Sequence, residues 1–277
     1  MAMSLLITTL QQVMALGTAS ISWPGPMRSV FGFFQVLAFD MELFKVKCVV
    51  DPSPAFNFAM KVLLFLGCAA VMLIIHCGFV LLKHQGEFRE RHPVLVSGVG
   101  TVFLMFYVSI FISILAPLQC TKNPNGLWTL KPYPPVVCWD GDDDQHSIML
   151  ALGAAASLIP LGFLGRCCHV VYTLPREMQA GNTLFLRSYA FLFFRYKPSM
   201  YWYSLFHLTR SLLIALTTIM PVAGLQVLLM QIILLVQLAL VCVRMPWRVT
   251  QGNAMEALLT WGTLLMLCCA ALISGAG

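Results

Sequence analysis

Polar side chains are sparse inside the long apolar runs of this chain, and five of them carry whatever chemistry those runs can do: Arg210, His207, Gln226, Gln237 and Glu256. Arg210 lies nine residues beyond Tyr201, so at about 1.5 Å per residue it sits roughly 14 Å into a hydrocarbon layer about 30 Å thick. An arginine at that depth costs about 2.5–3.5 kcal/mol on insertion scales, so it is expected to face protein and not lipid. His207, three residues earlier, shares its helix face. Gln226 and Gln237 are eleven residues apart and fall on nearly one side of their helix, while Gln231 turns away. Either glutamine, or a carbonyl freed near Pro160, is an expected partner for Arg210. Glu256 stands beside Asn253 as the only acidic residue of the last three runs, and its place near the cytoplasmic end argues against a direct contact. The chemistry on offer is a polar pivot or an ion path; the plainer alternative for each residue is a helix-packing hydrogen bond or a snorkelling side chain. Lys61, near the outer end of its run, is expected to snorkel.

Outside the apolar runs the reactive groups are cysteines and aspartates. Cys120 and Cys138 flank a proline-rich loop and are expected to be disulfide-bonded, although spacing alone leaves Cys48 open as a partner for either. Cys167-Cys168 suits palmitoylation or plain burial. Asp142, Asp143 and Asp144 could attract cations, but a solvated acidic turn is the simpler reading. The six histidines are dispersed, and consecutive Cys168-His169 does not match the spaced pairs of a structural zinc site, so no metal is expected. No nucleophile and base converge, and no phosphate loop, HExxH pair, TVGYG-like filter or regular arginine array occurs. The expectation is a protein without enzymatic activity or cofactor.

The elements that position these groups follow from composition. A chain that is 59% hydrophobic and 10% charged, with mean hydropathy +0.83, cannot hide its apolar side chains in one soluble core, so the lipid bilayer must cover them. The fold class expected is all-α, a polytopic transmembrane bundle in a single domain. Its seven spans are placed at about 3–21, 58–82, 94–116, 148–164, 201–220, 225–243 and 254–274. Residues 30–44 are too short for a span and read as a re-entrant or interfacial segment. Loop 117–146 is the most polar of the long connections, and Arg166 to Pro198 reads as a linker. The first run contains Gln11 and Gln12 and lacks a basic leader, so it reads as a span packed on protein and not as a signal peptide. The small-residue stretch Gly153 to Ser157 predicts close packing, and Pro160 a kink.

Sidedness comes from the basic residues. The loops after spans two, four and six hold ten, from Lys83 and Arg89 to Arg244 and Arg248, against Arg28, Lys45, Lys47, Lys122 and Lys131 opposite. The N-terminus is therefore expected in the cytoplasm, of a protein integral to the plasma membrane or an endomembrane. A net charge of +6, scattered along the chain, is too small for a nucleic-acid footprint.

The order of Gln11, Trp23-Pro24, Cys48, Pro117 to Cys120, Cys138-Trp139, Phe193 to Pro198, Tyr201-Trp202, Arg210, Pro246 and Asn253 resembles the C-terminal multispan region of large protist surface proteins of the TRP-like or polycystin-like kind. The likeness runs from about Gln11 to Leu272, and its most specific parts are the two-cysteine loop and the RYKPSMYW entry to span five. That family places cysteine-rich repeats before the membrane region, and this chain has none. The resemblance implies a channel or channel-related subunit, cations as the permeating species and assembly as a homo-oligomer. The alternative is a non-conducting receptor or membrane anchor.

Overall fold

The structure, a computed structural model, describes residues 2–17, 53–83, 85–139 and 144–275. Trp23-Pro24, segment 30–44, Cys48 and Asp140, Asp142 and Asp143 lie outside the described residues. Within them the chain is almost entirely helical: α1 (Ala2–Gly17), α2 (Pro54–Lys83), α3 (Phe88–Ile114), α4 (Gln145–Gln179), the short α5 (Thr183–Ser188) and α6 (Ala190–Phe193), then α7 (Tyr203–Thr217), α8 (Ala223–Arg244) and α9 (Thr250–Gly275). Four of these, α2, α3, α4 and α8, are long and apolar enough to cross a membrane, the mark of an integral membrane protein.

Local sequence explains most of the boundaries. α2 begins where Ser53 Oγ accepts the Phe56 N–H and Pro54 supplies a preset φ at the first helical position. The reversal between α2 and α3 uses left-handed backbone at Gln85 (φ 48°) and Gly86 (φ 86°). α8 stops at left-handed Met245, whose N–H closes on the Val241 carbonyl, and Pro246 prevents continuation.

Two expectations need correction. The stretch expected as a linker from Arg166 continues α4 to Gln179, because Cys167, Val170, Val171 and Leu174 keep an apolar stripe buried after the first charges appear. At 35 residues α4 is about 52 Å long, so it outruns the bilayer core. Loop 117–146 also contains a small hairpin, β1 (Cys120–Lys122) against β2 (Trp128–Leu130), antiparallel with Cys120 opposite Leu130. Gly126 (φ 87°) turns it, and the Asn125 side chain accepts the Leu127 N–H. The expected disulfide forms here: Cys120 and Cys138 are bonded, with Cα atoms 6.4 Å apart. Beside it, burial holds the Lys131 ammonium below its ordinary pKa.

The helices form two groups that share α3. α2, α3 and α4 enclose one apolar cluster built on Phe58, Val62, Ile110, Ile114, Met149 and Ala156. α2 is the peripheral member: only 11% of its most apolar window is buried, against 39% for α3. α1, α7, α8 and α9 surround two further clusters, one at each end of their bundle. α6 wedges against α3 at Gly100, where an added Cβ would come within 2.3 Å of the Phe191 ring, so glycine is the residue that fits.

The same ends of the helices meet repeatedly. At one end Gln119 donates to Thr218 Oγ1 (2.9 Å) and Gln226 to the Ala15 carbonyl (3.4 Å). At the other, Tyr196 and Trp247 pair as an isolated β-bridge.

Candidate functional site

Three buried polar side chains share one depth because their helices are counted from the same end. Arg210 is seven residues into α7, Gln237 seven residues before the end of α8, and Glu256 six residues into α9. Each therefore sits about 10 Å from that end. Glu256 consequently meets Arg210 directly: Oε1 lies 3.7 Å from an Arg210 terminal nitrogen, with both side chains at most 3% exposed. The expectation of no direct contact is corrected. α9 begins at Thr250, a turn earlier than the apolar pattern indicated, which carries Glu256 deeper.

Glu256 collects donors from three directions. The Tyr203 hydroxyl donates to Oε1 at 2.9 Å, the Gln237 amide to the same oxygen at 2.8 Å, and the Trp247 indole N–H to Oε2. Bonds of this kind, with a cation alongside, compensate the removal of charge from water. Arg210 is served less well. One terminal nitrogen donates to His207 Nδ1 at 3.3 Å, which fixes His207 as the acceptor on that side, while Nε has no partner. Ser211, one residue on, bonds back to the His207 carbonyl at 2.8 Å.

A backbone strap holds the carboxylate's surroundings. The Lys197 N–H donates to the Pro246 carbonyl (2.9 Å), and the Arg248 N–H to that of Arg195 (3.1 Å), tying the entry to α7 onto the α8–α9 connection. Asn253 fixes Trp247 through both backbone edges, accepting its N–H at 2.9 Å and donating to its carbonyl at 3.2 Å. Tyr196 packs on Trp247 with ring centroids 4.8 Å apart and on Tyr203 at 5.1 Å. Burial, reinforced by Glu256, raises the Tyr196 hydroxyl above its ordinary pKa, so it stays protonated.

The sequence candidates thus separate. Arg210, His207, Gln237 and Glu256 come together in this hub, whereas Gln226 faces the same bundle from its opposite end, on Ala15. Near Pro160, where a freed carbonyl was an expected partner of Arg210, the carbonyl of Pro160 itself accepts from Tyr107 (3.3 Å). Lys61 lies 5.8 Å over the Tyr133 ring at the hairpin end. Tyr203, Trp247 and Tyr196 belong to the hub and were not among the sequence candidates; Asn253 and Glu256 after Pro246-Trp247 are a local hint of a buried indole.

Elsewhere, among the described residues, one group has metal-ligating atoms close together: Cys120, Cys138 and His146, within 4.8 Å of one another. The two sulfurs are bonded to each other, and His146 is held between the Pro117 carbonyl (3.1 Å) and the Trp139 N–H (3.4 Å), so this trio is a structural knot. No protein-family model, curated protein or solved structure matches this chain.

Proposed function

We propose that this chain is a seven-span, non-enzymatic membrane subunit of the TRP-like, channel-related class, with its N-terminus in the cytoplasm and with cations and further copies of itself as partners. The observation that carries the reading is the Arg210–Glu256 pair, closed among four helices. Charges placed this deep are costly and by default mark a pathway or a moving part. Supporting the span count, the ends of α1, α3, α7, α8 and α9 meet alternately at the two poles of the bundle, as antiparallel crossings require. Supporting the sidedness, the pole that bears the Tyr196–Trp247 strap also carries Arg195, Lys197, Arg244 and Arg248. In this reading the pair is a latch: Tyr203 and Trp247 cap it while closed, and its separation frees α7 to move against α9.

A non-conducting receptor or anchor is the second reading. It is favoured by the three hydrogen bonds that Glu256 accepts from Tyr203, Gln237 and Trp247, an arrangement that holds the carboxylate in place and needs no moving part.

Two experiments decide between these readings. Purified protein in liposomes is assayed for cation flux as wild type and as Glu256→Gln, with oligomer size measured in parallel. Flux that the substitution changes supports the latch; no flux from either, from a correctly inserted protein, leaves the receptor or anchor. Single-cysteine labelling in intact cells tests the topology, with Asn123→Cys expected to react with an impermeant reagent and Gln179→Cys to be protected. The reverse pattern overturns the orientation.

A further inference from the structure

The bundle of α1, α7, α8 and α9 has a polar layer between its two apolar ends. At the strap end Leu5 packs with Tyr203, Val241 and Trp247; at the other, Val13 and Ala15 pack with Ile214, Val227 and Leu264. Between these levels α1 presents Thr8, Gln11 and Gln12, α7 presents Arg210 and Ser211, α8 Gln237, and α9 Thr260 and Thr263, all at most 4% exposed. On α1 the stripe Leu5, Thr8, Gln11, Gln12, Ala15 follows the three-and-four spacing of one helix face, so Gln11 reaches the level of Arg210.

Four atoms of this layer are buried and without a partner: Gln11 Nε2 and Oε1, Arg210 Nε and Gln237 Oε1. The hydroxyls of Ser211, Thr260 and Thr263 do not donate to them, because they donate to carbonyls of their own helices at 2.8, 2.7 and 2.9 Å. The ion pair is also loose, since 3.7 Å exceeds the roughly 2.7–2.9 Å of a direct charge-assisted bond. A polar contact of that length is one that a water molecule commonly completes.

We infer that the layer is an internal water site, in which one or a few buried waters join Gln11 to Arg210 Nε and Gln237 Oε1 and complete the Arg210–Glu256 pair. The donor and acceptor complement selects the ligand. The orphaned atoms are two donors and two acceptors, which is what a water offers in return, whereas an anion would leave both acceptors empty and a cation both donors. At Thr8, Ser211, Thr260 and Thr263 the layer has short side chains, where leucine and methionine fill the level beyond. The inference does not rest on conduction: a receptor or anchor would hold the same water.

The test is a high-resolution structure of the full chain crystallised from a lipid phase, with parallel crystals soaked in bromide and in rubidium. Expected is density within hydrogen-bond reach of the Gln11 amide and Arg210 Nε, unchanged by either soak and without anomalous signal. Anomalous density there assigns an ion and overturns the water, as does an empty layer or one in which the Gln11 amide bonds Arg210 directly. Thermal unfolding in nanodiscs gives a second readout: Gln11→Met is expected to lower Tm by several degrees through loss of the water's anchors. A raised Tm, the sign of a dry orphaned amide relieved, overturns the site.

Discussion

The two ends of this molecule are closed by opposite means. At the hairpin end a disulfide joins Cys120 to Cys138, and the fastening is covalent and indifferent to local charge. At the strap end a carboxylate and a guanidinium are buried together under Tyr203 and Trp247, and two backbone hydrogen bonds lash the connections. A disulfide acts chiefly on the unfolded chain, whereas a buried ion pair contributes only while both charges and their hydrogen bonds persist. The first end is built to stay shut; the second depends on a balance that a single substitution can upset.

The largest effect is expected from removing one charge. Glu256→Leu leaves Arg210 buried and unpaired and should cost about 3–5 kcal/mol, read as a fall in Tm in nanodiscs. Arg210→Leu should leave insertion intact while lowering stability and altering assembly or any flux; if thermal stability, oligomer size and flux all stay as in wild type, the pivot is a passenger. Combining Arg210→Met with Glu256→Leu sharpens the point. The double variant should be more stable than either single one, since no bare charge remains, and simple additivity would mean the two residues are uncoupled.

Opening the other end comes next. Cys120→Ser with Cys138→Ser should cost about 3 kcal/mol by the loop-closure estimate for a separation of 18 residues. The loss should appear equally on reduction with dithiothreitol, which ought to leave the Glu256 variants' deficit unchanged. Smaller still, Trp247→Phe keeps the ring packing on Tyr196 but removes one donor to Glu256, for about 1–3 kcal/mol. Least of all, Lys61→Leu forfeits the contact over Tyr133 and should shift stability by less than about 1 kcal/mol. A larger loss there would mean that the hairpin end, too, relies on charge.

Apolar run length, read from the sequence, was enough for an all-helical membrane protein and for helices that overlap each of the seven expected runs, and the short proline-rich loop for the Cys120–Cys138 pairing as the preferred one. These properties are local or nearly so: burial in lipid is set by composition, helix ends by proline and glycine, and the disulfide by a short loop. Arg210 was legible as a group needing a protein partner, because its cost in hydrocarbon is a property of the residue itself. Which partner it takes was not. Glu256 and Gln237 lie on two other helices, and only the packing of α7 against α8 and α9, counted from their common end, brings both to its depth. The same packing decides that Trp247 and Tyr203, aromatic and amphipathic like any residue of a membrane belt, turn their polar atoms inward onto a carboxylate. A side chain's type states what it must bond to, and the tertiary structure alone decides where that bond is found.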